Sequence, residues 1–254
     1  EKYQDMIEHV IRKGNTPAGM HLSIMVQEIL DFLQIQPGQT GFDATLGYGG
    51  HTKAMLACLE GRGHIYATDV DPEESAKTKK RLLEQGYGEE ILTIKLQNFC
   101  TIDEIAKEAG GFDFVLADLG VSSMQIDNPE RGFSFKVEGP LDLRLNQKEG
   151  ISAAERLDTI TKEELAGMLY ENSDEPYSEE LAKAITDEIR RGNRMDTTKK
   201  LRDVIEKTLM FLPEKERKDI VKKTCQRVFQ ALRIDVNNEF EVLYEFMEKL
   251  PECI

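Results

Sequence analysis

Thr40-Gly41-Phe42-Asp43-Ala44-Thr45-Leu46-Gly47-Tyr48-Gly49-Gly50-His51 is the stretch that decides the fold. It follows the turn signal Pro37-Gly38 and opens with a short strand pattern, Thr40 to Ala44. Gly47, Gly49 and Gly50 punctuate a loop, and His51 to Leu59 returns to helical spacing. A strand, a glycine turn and a helix start in that order form the context of a nucleotide-type site. Glycines there permit positive φ and let a ligand approach the backbone. The helix N-terminus behind them offers free N–H groups and a positive dipole end, suited to a carboxylate or phosphate. By itself the stretch also fits a tight strand–helix turn that holds nothing.

Downstream the alternation repeats. His64 to Asp69 reads as a second strand, and Asp71-Pro72-Glu73-Glu74 as a helix start, with Asp71 the cap and Pro72 in the first helical position. Ile91 to Leu96 reads as a third strand, Thr101 to Glu104 as a capping box, and Phe112 to Leu119 as a fourth strand. Upstream, Ile24, Ile29, Leu30 and Leu33 share a helical face within residues 20–35. Strands alternating with helices predict an α/β fold with a doubly wound, Rossmann-like parallel sheet.

After Gly120 the pattern changes. Residues 125–150 are loop-like, and residues 151–212 are helical without a strand, with capping boxes at Ser152…Glu155 and Thr161…Glu164. Helical spacing resumes near residue 216 and includes Phe240, Leu243, Phe246, Met247 and Leu250. The expected organisation is a discontinuous core, residues 1–124 and 216–254, interrupted by a helical insertion, residues 125–215.

The 254 residues are 40% hydrophobic and carry a formal net charge of −14, enough for a real core and unlike a protein that coats nucleic acid indiscriminately. No apolar run approaches a membrane span, and no secretory leader pattern opens the chain. Cys58, Cys100, Cys225 and Cys253 are scattered without a CxxC pair, as reduced thiols of a cytoplasmic protein are, and no metal site is expected.

Asp69 stands at the end of the second strand, 20 residues after Gly49, where a carboxylate can take both hydroxyls of an adenosine ribose. A glycine three residues after Gly50 would favour a dinucleotide, but Lys53 stands there. Asp43 either faces the ligand or fastens the loop through backbone N–H bonds. Asp118 closes the fourth strand, on the side where ligands of such sheets sit. It either serves the cleft or caps the following Ser122 or Ser123 backbone. Asn98 and Phe99, just past the third strand, offer an amide and a ring for an adenine, although a lone aromatic there also suits the core. An S-adenosylmethionine-dependent methyltransferase, an NAD-dependent oxidoreductase and a non-catalytic binding module all remain open on these residues.

Several blocks carry a more specific likeness. They are Phe42 to His51, Asp69-Val70-Asp71-Pro72, Asp118-Leu119-Gly120-Val121-Ser122-Ser123-Met124-Gln125, Arg131-Gly132-Phe133-Ser134-Phe135, Gly139-Pro140-Leu141-Asp142-Leu143-Arg144 and Phe229-Gln230-Ala231-Leu232-Arg233-Ile234-Asp235-Val236-Asn237, with His21 to Leu30 before them. In these blocks, colinear over about residues 20–250, the chain resembles the MraW/RsmH family. Its members are S-adenosylmethionine-dependent N4-methyltransferases of a cytidine in 16S ribosomal RNA of the small subunit.

The resemblance implies that Gly49, Gly50 and His51 hold the methionine end of the cofactor, and Gly47 of the same loop is counted with the cofactor-binding residues. It implies that Asp69 takes the ribose, that Asn98 and Phe99 cover the adenine side, and that Asp43, Asp118 and Gln125 complete the pocket. It also implies that the insertion recognises RNA, with Arg131, Lys136 and Arg144 beside the pocket. The cations Arg190, Arg191, Arg194, Lys199, Lys200 and Arg202 form a run on that insertion, and Lys215 to Arg227 adds more. Such residues either meet phosphates or form a solvated helix face.

A sulfonium methyl is already electrophilic, so the task is in-line alignment. A cytosine N4 amine is a poor nucleophile because its lone pair is delocalised. An acceptor at its N–H draws that pair out of conjugation, and Asp118 is the expected acceptor, with Ser122 and Ser123 as positioning donors. The same cofactor loop fits methylation of another RNA site or a small molecule. Ser23 replaces the family's usual proline, and about 20 residues precede its first motif. The family's glycine turn, strand and Ser-x-Glu-Asp-like segment after the position of Ile254 are not in the sequence. It therefore reads as a C-terminally shortened relative or as part of a longer chain. A sheet ending at a fourth strand would leave an edge open to a second copy, so a homodimer is also expected.

Overall fold

The computed structural model describes residues 23–254. His21 and Leu22 of the first family block, and the segment before them, lie outside the described residues. Residue contacts divide the chain into two units, one running to Gly120 and taking in Glu245–Ile254, the other Val121–Tyr244.

The first unit is an α/β layer structure. Strands β1 (Thr40–Asp43), β2 (His64–Asp69), β3 (Leu92–Leu96) and β4 (Phe114–Leu116) form one parallel sheet in the order β3-β2-β1-β4. Helices α1 (Val26–Leu33), α2 (Gly50–Cys58), α3 (Pro72–Glu84) and α4 (Ile102–Ala109) alternate with them. Crossover helices force the strands to run parallel, because a parallel neighbour cannot be reached by a tight hairpin. Phe42, Met55, Leu56, Leu59, Ile65 and Leu82 are fully or nearly fully buried between the sheet and its helices.

The local signals act as expected at α3. Asp71 Oδ1 accepts from the N–H groups of Glu73 and Glu74 at 3.0 and 3.1 Å, and Pro72 starts the helix. Thr101 departs from its expected capping box. Its hydroxyl donates to the Asn98 carbonyl at 2.7 Å and accepts from Gln97 at 2.8 Å, because Phe99–Thr101 forms a short 3-10 turn first, capped by Asn98. β4 is also shorter than the Phe112–Leu119 reading. Its last ladder contact is Ala44 N–H to the Leu116 carbonyl at 2.8 Å, after which the Asp118 N–H turns to Thr45 Oγ1 at 2.8 Å.

The second unit is helical. It contains α5 (Ser123–Asp127), α6 (Ala153–Thr159), α7 (Lys162–Ser173), α8 (Ser178–Arg190), α9 (Thr198–Thr208) and α10 (Glu214–Val236). Both expected capping boxes are present, at Ser152/Glu155 and Thr161/Glu164. The sequence boundary at residue 215 falls at the start of α10. Thr224, Cys225, Val228, Phe229 and Leu232 of that helix are buried, and the last four sit in a core with Leu157, Leu165, Leu181 and Leu201, so the contacts carry the helical unit on to Tyr244. The last helix, α11 (Glu239–Lys249), enters the first unit at Glu245. Among the described residues, no helix is long and apolar enough to cross a membrane.

Gly41 shows how tightly β1 and β4 are matched. A Cβ there would overlap the Phe114 ring. Gly41→Ala is expected to destabilise the first unit by about 1–3 kcal/mol through overpacking. Denaturant unfolding should show this as a lower midpoint at an unchanged slope.

Candidate functional site

The site of the first unit is built from the chain between β1 and α2. Asp43 ends β1 and is 1% exposed. Its Oδ1 accepts from Thr45 N–H at 3.0 Å, and its Oδ2 accepts from the Thr52 hydroxyl at 2.6 Å. Burial pushes its carboxyl above the usual range, against those two hydrogen bonds and the nearby His51. Of the two roles the sequence left open for Asp43, these contacts are those of the fastener.

The turn is then held on its far side by β2 and α3. Leu46 N–H donates to the Thr68 carbonyl at 2.9 Å, and the Thr68 hydroxyl donates to the Ala44 carbonyl at 3.0 Å. The Thr78 hydroxyl donates to the Gly47 carbonyl at 2.6 Å. Arg81 donates to the Tyr48 carbonyl at 2.8 Å and lies 3.6 Å over the Tyr48 ring. Gly49 has φ 82°, and a Cβ there would meet Thr78 Cγ2. A Cβ on Gly50 would collide with Ser23 Oγ. These two glycines therefore admit protein side chains on one side of the turn. The other side presents Gly47 and the first-turn N–H groups of α2, which no intrahelical bond uses.

Asp69 stands across the turn, half-buried. Its Oδ2 accepts from Gly47 N–H and its Oδ1 from Asp71 N–H, each at 2.9 Å. Burial, with the negative charges of Asp71 and Asp43 adding to it, pushes its carboxyl up to about 6 despite those donors. Each oxygen keeps a further lone pair for a ligand hydroxyl.

His51, 8% exposed, has Nε2 at 2.8 Å from the Ile24 carbonyl and Nδ1 at 3.6 Å from Asp118 Oδ2. A carbonyl only accepts, so Nε2 carries the proton. Asp118 itself is exposed, its backbone anchored to Thr45.

On the strand-three side, Asn98 Oδ1 accepts from Cys100 N–H at 3.2 Å, so its amide oxygen caps the Phe99–Thr101 turn. The Phe99 ring packs edge-on against Phe246, with centroids 5.2 Å apart and an interplanar angle of 87°. Lys249 donates to the Cys100 carbonyl at 2.8 Å and pairs with Asp103 at 3.0 Å and Glu245 at 2.6 Å. Phe246 and Lys249 thus fasten the segment that presents Phe99. Helical spacing marks Phe246 as apolar, but nothing local ties it or Lys249 to the distant Phe99–Thr101 turn.

The remaining predicted residues lie in the second unit. Ser122 and Gln125 form a capping box at the start of α5: Ser122 Oγ accepts from Gln125 N–H at 3.3 Å, and Gln125 Oε1 accepts from Ser122 N–H at 3.0 Å. Ser123 follows on the exposed side. Arg131 is 4% exposed, and its guanidinium donates to the Arg144 and Leu145 carbonyls at 3.1 and 2.6 Å. Arg144 grips Asp142 with two bonds, of 2.8 and 2.9 Å, and also donates to the Glu149 and Gly150 carbonyls. Both arginines therefore pin loops through backbone carbonyls, and Arg144 through Asp142 as well. Lys136 is exposed.

The basic run is likewise neutralised. Arg190 and Lys183 share Asp187, Arg191 pairs with Glu188, Arg194 with Asp158, Lys199 with Asp203, Lys200 with Asp196 and Arg202 with Glu206. Five of these six pairings on the run are between residues three or four apart, as a solvated helix face arranges them.

Comparison with known proteins gives a consistent result. The profile of the MraW methylase family matches residues 18–254. A protein of Agathobacter rectalis named ribosomal RNA small subunit methyltransferase H 1 is 82% identical over 254 residues, covering 100% of this chain and 73% of its own length. A protein of the same name from Lachnoclostridium phytofermentans is 70% identical, over 100% of this chain and 69% of its own. Ribosomal RNA small subunit methyltransferase H 2 of Alkaliphilus metalliredigens is 64% identical, over 100% of this chain and 73% of its own.

The Asp43 fastening has a testable consequence. Thr52→Val removes a donor from a buried carboxylate and is expected to cost about 1–3 kcal/mol at pH 7. The folded carboxyl of Asp43 holds its proton to higher pH than the unfolded one, so ionising it costs folding free energy. That cost is recovered as pH falls, and the Thr52→Val deficit should shrink on acidification. Unfolding titrations of both proteins in a pH series on the acid side of neutrality check the direction.

Proposed function

The chain belongs to the MraW methylase family, and we propose that it transfers the methyl group of S-adenosylmethionine to N4 of a cytidine in small-subunit ribosomal RNA, in the cytoplasm and without a metal. The observation that carries this reading is the likeness along residues 18–254 to proteins named for methylating that RNA. The acid at the end of β2 and the open first turn of α2 support the choice of cofactor.

The residues fit that cofactor. Asp69 is a partly desolvated carboxyl with lone pairs to offer, and two ribose hydroxyls would ease its desolvation. The first-turn N–H groups of α2 and the positive end of its dipole suit the carboxylate of the methionine part. Asp43, Asp69 and Asp118 make the surroundings acidic, which suits a cationic sulfonium and ammonium. Phe99, steadied by Phe246, offers an apolar surface for a base. When bound, S-adenosylmethionine supplies an electrophilic methyl; the chain's residues bind, orient and accept protons.

Asp118 is the group assigned to the acceptor amine. Exposed at the end of β4 and anchored by its own N–H to Thr45, its carboxylate is free to accept a hydrogen bond from an incoming N4–H. Accepting that hydrogen bond would draw the nitrogen lone pair out of conjugation, so that an N–C bond would form as the C–S bond of the bound cofactor broke, with the surplus N4 proton passing to the Asp118 carboxylate. His51, fixed through Nε2 to the Ile24 carbonyl, holds its other ring nitrogen 3.6 Å from the Asp118 carboxylate and so bounds the space in which Asp118 works. The second unit supplies RNA recognition in this reading, with Lys136 as a phosphate contact.

Transfer of labelled methyl from S-adenosylmethionine to isolated small subunits, followed by nucleoside mapping, tests the reading. N4-methylcytidine is the expected product, and label in a different nucleotide or in none overturns the assignment. Asp118→Asn should lower turnover at saturating cofactor by about 100-fold or more, a loss that added cofactor does not restore.

Cofactor affinity should also depend on pH. Asp69 must be ionised to accept two hydroxyls, and its carboxyl in the free protein is pushed up to about 6. Binding then lowers that value and releases a proton, so affinity rises as pH climbs through about 6 and is lost below it. In titration calorimetry, Asp69→Asn should bind roughly 10- to 100-fold more weakly, the worth of hydrogen bonds to a charged group, and lose the pH dependence.

A further inference from the structure

Three residues before the start of α10, Phe211 stands 65% exposed, next to Met210 at 59%. The turn that carries them is braced by Arg217. Arg217 donates twice to the Leu212 carbonyl, at 3.1 and 2.6 Å, and approaches Met210 Sδ at 3.8 Å. Leu212 packs on the helical core, and the Phe211 ring leans edge-on against Tyr177 with centroids 6.0 Å apart. An aromatic ring is therefore held outward at low entropic cost.

Directly behind it, Lys215, Lys218 and Lys222 recur at i, i+3 and i+7 along α10, all exposed. None of the three takes part in an ion pair among the described residues, unlike every cation of the Arg190–Arg202 run. Residues 214–223 hold five cations against three acids, in a chain whose formal net charge is −14.

We propose that this ring and lysine face form the surface that docks an unpaired segment of the ribosomal RNA substrate, with a base stacked on Phe211 and phosphates against Lys215, Lys218 and Lys222. The proposal rests on the function inferred above. Lysines without carboxylate partners complement a polyanion, and any base can stack on a fixed exposed ring. A protein partner would need no such surplus of unpaired cations.

The test uses the full chain and an unpaired oligoribonucleotide from small-subunit ribosomal RNA, with binding followed by anisotropy across a salt series. In the triple variant Lys215→Gln, Lys218→Gln, Lys222→Gln, the slope of log affinity on log salt should flatten by about 2, at roughly 0.7 for each phosphate on a single strand. Its KM for small subunits should rise about tenfold or more, with cofactor affinity as in the wild type. Phe211→Ala should weaken binding about tenfold at an unchanged slope. The control Lys199→Gln, Lys200→Gln on the paired run should leave the slope alone.

A triple variant with wild-type slope and KM, or a wild type that binds no RNA, overturns the surface. So does a Phe211→Ala variant with intact RNA affinity but weakened association with a ribosomal protein. Methyl transfer with an unaltered KM in the triple variant sinks the surface and leaves the function standing. Lysine-dependent RNA binding without methyl transfer does the reverse.

Discussion

A buried carboxylate organises the first unit. Asp43 lies at the end of a central strand, where a charge without donors would be expensive to bury. Its two donors, Thr45 N–H and the Thr52 hydroxyl, belong to the next turn and the next helix. Satisfying Asp43 therefore closes the chain from β1 through the glycine turn to α2. With that closure made, Thr68, Asp69, Thr78 and Arg81 can grip the turn from β2 and α3. The helix start and the Asp69 carboxylate then stand opposite one another with little freedom left, which is the preorganisation a small cofactor needs.

The same closure makes the electrostatics of the site. Asp43 and Asp69 are both pushed toward protonation by burial, and each lies within the field of the other or of a further aspartate. A cationic ligand relieves that repulsion, whereas an anionic one would worsen it unless it sat at the helix N-terminus. S-adenosylmethionine, the cofactor of the family, carries both kinds of charge. The glycines serve this arrangement indirectly: Gly49 and Gly50 give room to Thr78 and Ser23, so that the turn is braced from the protein side.

In the helical unit, charge is used mostly for holding. Arg131 and Arg144 stitch loops to backbone carbonyls and to Asp142, and Arg227 meets the buried Glu175 at 2.6 Å. The run from Arg190 to Arg202 is matched by acids, mostly one turn away. Lys215, Lys218 and Lys222 of α10 stand apart from that pairing, exposed and without an ion pair among the described residues.

Much was legible in the sequence. The strand pattern, the glycine turn, Asp71 as a cap and the boxes at Ser152 and Thr161 are short-range signals, each settled by groups within about four residues, so the chain itself determined them. The family blocks extended that to the membership of the whole chain. What only the tertiary structure decided are the long-range partnerships: Phe246 and Lys249 bracing Phe99, Ser23 against Gly50, and Arg131 turned inward. A charged side chain reads the same in sequence whether it faces a phosphate or a carbonyl, because its role is set by which groups packing brings within about 3 Å. Packing, unlike the local backbone signal, is a property of residues far apart in the chain.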